Sequence, residues 1–181
     1  MKPLVATSIV AMLATVALAA AAGQIKVNPF VNSDGRVLAS FIAADTWTIE
    51  TREILQFGQP VTFDYYVELR RPAMLWDKTL AQTNVKAEAK FDTLTGKYTV
   101  SRQRDGRMVK SEKREVEGDV REWLTVFDSI ELEPTQPLKA NTDYYVQVRL
   151  FKYPRPNVNL LAILPGGSED SSGRTSFIYV R

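Results

Sequence analysis

Two stretches of the chain set tyrosine and arginine at matching intervals. One is Asp64-Tyr65-Tyr66-Val67-Glu68-Leu69-Arg70 and the other is Asp143-Tyr144-Tyr145-Val146-Gln147-Val148-Arg149. Alternate side chains of an extended chain face opposite ways, so Tyr66 lies with Arg70 and Tyr145 with Arg149, each pair on the polar face of its strand. Tyr66, Arg70, Tyr145 and Arg149 are therefore candidates for one surface that binds a peptide, a glycan or a lipid headgroup. The same residues would also serve as cross-strand aromatic and charge pairs that hold a sheet together with no ligand involved. Acids are the second chemical resource. A glycosidase-type reaction needs two carboxyl groups across a cleft, and Asp64, Asp77, Asp92 and Asp128 are the acids such a hydrolase would draw on. As isolated residues they read better as solvated surface groups.

Other chemistry is excluded by residue type. The chain has no histidine and no cysteine. Ser-His-Asp and Cys-His nucleophile systems are thereby removed, as are ordinary zinc and copper sites. No phosphate-cradling or dinucleotide glycine pattern is present. The run 164–173, Leu-Pro-Gly-Gly-Ser-Glu-Asp-Ser-Ser-Gly, has glycines without the lysine and helix start that such a loop requires. The short runs 32–35 and 168–173 lack the ligand spacing of a calcium loop and read as a turn and a linker. No catalytic residue, metal ligand or cofactor is expected, and the sequence predicts a protein that is not an enzyme.

Charge and hydropathy bound the partners. Lysine and arginine total 23 against 21 acids, for a net charge of +2, too near neutral to point to nucleic acid. After Lys2 an uncharged, alanine-rich run extends from Pro3 to Ile25, and small residues close it at Ala20-Ala21-Ala22 before Gly23. That pattern predicts a secretory signal peptide over residues 1–22, and hence a periplasmic or secreted protein. An uncleaved anchor in the inner membrane is the competing expectation, because the run is long enough to span a bilayer. No later run approaches that length, so no integral membrane segment is expected after cleavage.

These residues must be positioned by a mostly extended chain. Residues 25–42 read as two strands about an Asn-Ser-Asp-Gly turn, and a helix is expected over 47–57 with Trp47, Ile54 and Phe57 near one stripe, stopped by Gly58 and Pro60. Residues 61–71 alternate, with Phe63, Tyr65, Val67 and Leu69 on the core face. Residues 73–82 are ambiguous between a short helix and a loop carrying Trp76. Val85, Ala87, Ala89 and Phe91 face inward along the next strand, a turn at 93–96 returns the chain, and Asp105-Gly106 marks a tight hairpin. The polar strand after it suits an exposed edge guarded by charge. A second helix is expected over 119–130, opened by a capping box of Asp119 and Glu122 and carrying Val120, Trp123, Leu124, Phe127 and Ile130. Strands over 142–152 and 175–181 close the chain, with a flexible Gly/Ser loop at 165–174. Trp47, Trp76 and Trp123 are expected as core anchors. The order β-β-α-β-β-β-β-α-β-β predicts one mainly β domain over 23–181, an antiparallel two-layer sandwich-like fold with two short helices. An eight-stranded outer-membrane barrel fits the length, but two amphipathic helices and the polar strand near 107–117 argue against it.

Several of these runs carry a resemblance to a known family. They are Asp34–Phe41, the helix leading into residues 56–77, Phe91–Arg102, Val120–Ile130 and Leu138–Leu150. Their order and spacing resemble a bacterial exported family catalogued as domain of unknown function 4390, over roughly residues 34–151. Arg71-Pro72 with Trp76, Leu94-Thr95 with Tyr98, and Tyr144 with Arg149 are its most specific features. The C-terminal end departs, keeping Leu164-Pro165 but lacking a tryptophan-rich closing strand. The resemblance implies an exported, largely β domain and brings no activity and no catalytic residue. It also implies an accessory role beside membrane sensor kinases of nitrogen regulation. The expectation is a binding or protein-interaction module of the cell envelope, with an envelope or periplasmic protein, such as a membrane sensor, as partner. A carboxylate-based hydrolase of envelope glycan and a small-ligand or lipid carrier with a pocket between the sheets are the alternatives.

Overall fold

A computed structural model describes residues 23–32, 34–154 and 169–180. The expected signal peptide, the stretch 155–165 and the first residues of the expected 165–174 loop lie outside the described residues. In chain order the elements are β1 (Gly23–Gln24), β2 (Lys26–Val31), β3 (Val37–Ile42), α1 (Ile49–Gln56), β4 (Val61–Arg71), β5 (Lys78–Asp92), β6 (Lys97–Arg104), β7 (Arg107–Arg114), α2 (Glu117–Thr125), β8 (Val126–Leu132), β9 (Thr142–Tyr153) and β10 (Ser171–Tyr179). Seven strands form one sheet in the order β1-β10-β9-β4-β5-β6-β7, and three form a second in the order β2-β3-β8. The pairings are antiparallel except that β1 runs parallel to β10.

Period-2 alternation builds the core. Phe63, Tyr65, Val67 and Leu69 of β4, Val85, Ala87 and Ala89 of β5, and Tyr144, Val146, Val148 and Leu150 of β9 are all buried. They face a second layer made of the small sheet and both helices, which supplies Val37, Ala39, Phe41, Leu55, Leu124 and Phe127 to the same cluster. The layers meet through an aromatic trio. Ring centroids of Phe41, Tyr65 and Phe127 lie 4.8–5.0 Å apart, in the range where tilted and offset rings attract. The Tyr65 hydroxyl donates to the Leu124 carbonyl at 2.8 Å, joining β4 to the end of α2. Burial pushes that hydroxyl's pKa far up, so it remains a donor. The result is the expected mainly β, two-layer sandwich-like fold with two helices.

Local signals account for the connections. The expected stop of α1 forms: Gly58 has φ +75°, its N–H reaches Leu55 O, and Gln59 N–H reaches Ile54 O, the paired bonds of a left-handed helix ending. Asp105 and Gly106 have φ +48° and +77°, the conformation of a tight two-residue hairpin. β7 is the exposed, charge-rich edge that its composition suggested.

Other expectations are corrected. α1 begins at Ile49 behind a Thr48 cap that accepts the Thr51 N–H, and its buried residues are Thr51 and Leu55. Phe57, expected on the apolar stripe, is 80% exposed, because the helix ends before it. α2 starts at Glu117, two residues early, with Val116 at its cap and no capping side chain. Asp119 is left in the first turn, where a carboxylate still suits the helix dipole. The same helix stops at Thr125, and Val126–Leu132 becomes β8, paired with β3. Phe127 is buried under either reading, so the apolar spacing could not separate a longer helix from a strand. The ladder offered by β3 decides for strand. Residues 171–174, expected in a flexible loop, open β10 and pair with β9. Trp123 is buried and Trp47 packs against the core, but Trp76 is 87% exposed at the tip of a loop and anchors no core.

Candidate functional site

The two like-sequenced strands are antiparallel neighbours, and β4 is central in the large sheet. Tyr66 lies opposite Arg149, Glu68 opposite Gln147, and Arg70 opposite Tyr145. The two copies are thus related by a local two-fold axis through the Glu68–Gln147 pair. All four candidate residues come together on the outer face of this sheet, the face turned away from the second layer. The repeat is a symmetric ladder in which each tyrosine meets the other strand's arginine.

The two halves of the ladder differ in surroundings. Around Tyr66, Arg149 donates to Glu68 at 3.1 Å, Asn84 donates to Asp64 at 2.6 Å, and the Tyr66 ring meets Phe151 edge-on at 5.4 Å. The Asp64 charge is the chief cause of a raised Tyr66 pKa. Tyr66 stays partly exposed. Tyr145 is only 1% exposed. Arg174 of β10 covers its ring with the guanidinium carbon 3.5 Å from the centroid, and Arg70 approaches within 6.0 Å, a cation–π arrangement. Tyr145 is therefore shallowly buried beneath arginines and does not itself offer a contact surface.

The Tyr145 hydroxyl holds the β4–β5 loop instead. It donates to Asp77 Oδ2 at 2.5 Å, while Asp77 Oδ1 accepts the Ala73 N–H at 3.2 Å and Arg70 donates to the Asp77 carbonyl at 3.3 Å. The hydrogen bond from Tyr145, helped by that from Ala73, holds the Asp77 carboxyl below its ordinary range. Burial, and then the bond to Asp77, raise the Tyr145 pKa. Between these anchors Met74, Leu75 and Trp76 are 100%, 83% and 87% exposed. Sequence reasoning missed this tip, although the four apolar residues between Pro72 and Asp77, Ala73 to Trp76, form a run too short for a core element. It also missed Arg174, whose place depends on a strand pairing with no local signal.

The four acids do not assemble. Asp64 and Asp77 are held by the separate partners above. Asp64 lies six residues along β4 from Arg70, the residue bonded to Asp77, and at about 3.3 Å per residue that is roughly 20 Å, well beyond the spacing of a glycosidase pair. Asp92 accepts the N–H groups of Leu94 and Thr95 in the β5–β6 turn. Asp128 lines a polar cleft of about 310 Å³ with Arg102, Arg114, Asp119, Glu122 and Trp123. Arg102 in that cleft is structural: it donates to the carbonyls of Trp123 and Val126 at 2.6 and 2.7 Å and lies between the Trp123 and Phe127 rings. Among the described residues no three acids converge closely enough to hold a metal ion.

Fold and face together define a two-layer antiparallel β domain carrying an arginine–tyrosine surface and a pinned apolar loop. The chain matches the family model of domain of unknown function DUF4390 over residues 20–152 and belongs to that family. The match ends within β9, so β10 and Arg174 lie beyond it. No curated protein and no solved structure matches the chain.

Proposed function

We propose that this protein is a non-enzymatic binding module of the bacterial cell envelope, working through the outer face of β10, β9, β4 and β5. It acts in the periplasm after loss of residues 1–22, or held to the inner membrane by them, with an envelope protein such as a membrane sensor as partner. The observation that carries this reading is the outer face itself. Among the described residues nothing in the second layer covers it, and it gathers Tyr66 and Arg70 of β4, Arg149 of β9 and Arg174 of β10. The guanidinium groups of Arg70 and Arg149 are partly exposed on this face, where a planar fork of donors suits a carboxylate or other acceptor. Two observations weigh against rival readings: the four acids stand apart, and Phe41, Tyr65 and Phe127 pack the centre between the layers, while the clefts of about 310 and 670 Å³ beside them are lined mainly by charged and polar side chains.

The test is crosslinking and capture from a periplasmic fraction, comparing the wild type with a Tyr66→Ala/Arg149→Ala double variant. A defined partner recovered by the wild type and reduced at least about tenfold by the double variant is expected, since aromatic and arginine anchors dominate such contacts. Recovery of the bait alone would overturn the reading.

A further inference from the structure

The loop between β4 and β5 is an unusual use of apolar surface. Solvent-exposed apolar residues are ordinary when scattered. Here three stand in sequence at a hairpin tip, almost wholly in water. The tip is held before anything binds, because Asp77 ties both ends of the loop to Tyr145, Ala73 and Arg70. An apolar group fixed in its working position loses little freedom on docking. Ile178, exposed on the outer face, extends the apolar surface at the same end of the sheet: it pairs with Asp143, two positions beyond the level of Tyr145 and Arg70.

The base of the hairpin shows what the tip meets. Arg71 and Lys78 are directly opposed as its closing pair. Like charges in opposed positions destabilise a ladder. Among the described residues neither makes an ion pair that would relieve this. Two cations therefore flank an apolar tip and lack an anion. Acids at this end are Asp77, engaged by Tyr145, and Asp143 beside Ile178, with Asp34 and Glu133 on loops of the second layer. Tryptophan prefers the boundary where one edge is apolar and the other wet, and cations at that depth meet lipid phosphates. A protruding tip of consecutive apolar residues suits a soft surface better than the flat patch of a protein interface.

We propose that the Met74-Leu75-Trp76 tip is a membrane-interface anchor that enters the headgroup region of an anionic bilayer, with Arg71 and Lys78 on the lipid phosphates. Entry is shallow, because the loop's backbone groups need water that the hydrocarbon core does not hold. The proposal deepens the binding-module reading and rests on it for its setting in the envelope. It gives the outer face an orientation, standing up from the membrane with Tyr66 and Arg149 farther from the lipid than the tip.

The protein as isolated from cells is mixed with vesicles of phosphatidylcholine alone or with about one-third phosphatidylglycerol, part of the lipid being brominated. Tryptophan quenching assigned to Trp76 is the signal present in the wild type and absent in Trp76→Phe. This difference isolates the tip even where residues 1–22 also hold the chain to vesicles. Quenching of Trp76 on the anionic vesicles is expected, with affinity for them falling at least about tenfold in Met74→Ser/Leu75→Ser and in Arg71→Gln/Lys78→Gln. These sites lie at the surface, and unchanged melting temperatures verify that the variants fold. Equal quenching of wild type and Trp76→Phe would overturn the proposal. So would loss of a captured protein partner in the tip variants without lipid quenching, since the tip would then dock a protein. Partner capture that depends on Tyr66 and Arg149, with no lipid quenching, would overturn the anchor and leave the binding-module reading standing.

Discussion

Tyr145 shows how one hydroxyl links the central sheet to a distant loop. Its bond to Asp77 spans 68 positions of sequence and is the main reason that the Asp77 carboxyl titrates low. A carboxylate whose folded pKa is depressed stabilises the fold above the ordinary carboxylate range and loses that contribution as pH falls through its lowered folded value. Tyr145→Phe should move the Asp77 titration upward, as read by carboxyl NMR, and should open residues 72–77 to limited proteolysis. The stability difference between wild type and variant should shrink as the medium is acidified below that titration. An unmoved Asp77 titration would mean that the Ala73 N–H and the charges of Arg174 and Arg70 set it without Tyr145. The polar face carrying Tyr66, Arg70, Tyr145 and Arg149 was legible in the sequence, because alternation fixes which side chains share a side of a strand. The burial of Tyr145 was not legible. It depends on Arg174 and Asp77, both brought in by tertiary pairing. Trp76 misled for the opposite reason: tryptophan is usually a core residue, and nothing local marks one that projects from a loop.

At the scale of elements, the α2–β8 junction depends on Arg102. Its guanidinium satisfies carbonyls at the point where helical bonding stops and fills the gap between two rings. Arg102→Ala should cost about 2–3 kcal/mol in urea unfolding, since it strips partners from buried carbonyls and removes packing. Arg102→Lys should recover only part, lacking the fork that reaches two acceptors. Gly173 tests a different joint. A Cβ there would fall 1.9 Å from the Ile25 carbonyl oxygen, where the chain passes from β1 to β2 along β10. Gly173→Ala should destabilise by more than about 2 kcal/mol, because a backbone atom must move. Gly118→Ala, in the first turn of α2 with its nearest neighbour 3.9 Å away, should instead stabilise by about 0.5 kcal/mol. Thermal melts of the pair would separate crowding from helix propensity. Hairpins and the α1 stop were readable, since Asp105-Gly106 and Gly58 adopt backbone angles that their types favour. The end of α2 was not, because its stop is set by a partner strand and by Arg102, a residue whose place on the core face of β6 only the assembled sheet reveals.

For the whole molecule, the large sheet orders stability from centre to rim. β4 is paired on both sides and buried on its inner face, whereas β7 is an exposed edge. Hydrogen exchange should find the slowest amides in β4 and β9 and the fastest strand amides in β7. Uniform protection across the sheet would contradict this order. Two-layer architecture was legible from alternation and helix count, while the membership of β10 and the short parallel β1 depended on distant partners. The local two-fold of β4 and β9 also has a consequence for how the chain reaches this state. A ladder that reads alike from either strand is one that a strand can make with its own copy: β9 against β9 of another molecule would again set Tyr145 opposite Arg149, around Gln147 facing Gln147. Crowded refolding should therefore lose yield to exchanged dimers. Gln147→Lys should restore it, because the introduced ammonium opposes Glu68 in the native pair and a second ammonium in the exchanged one. The quantity to follow is monomer recovered by gel filtration as protein concentration rises.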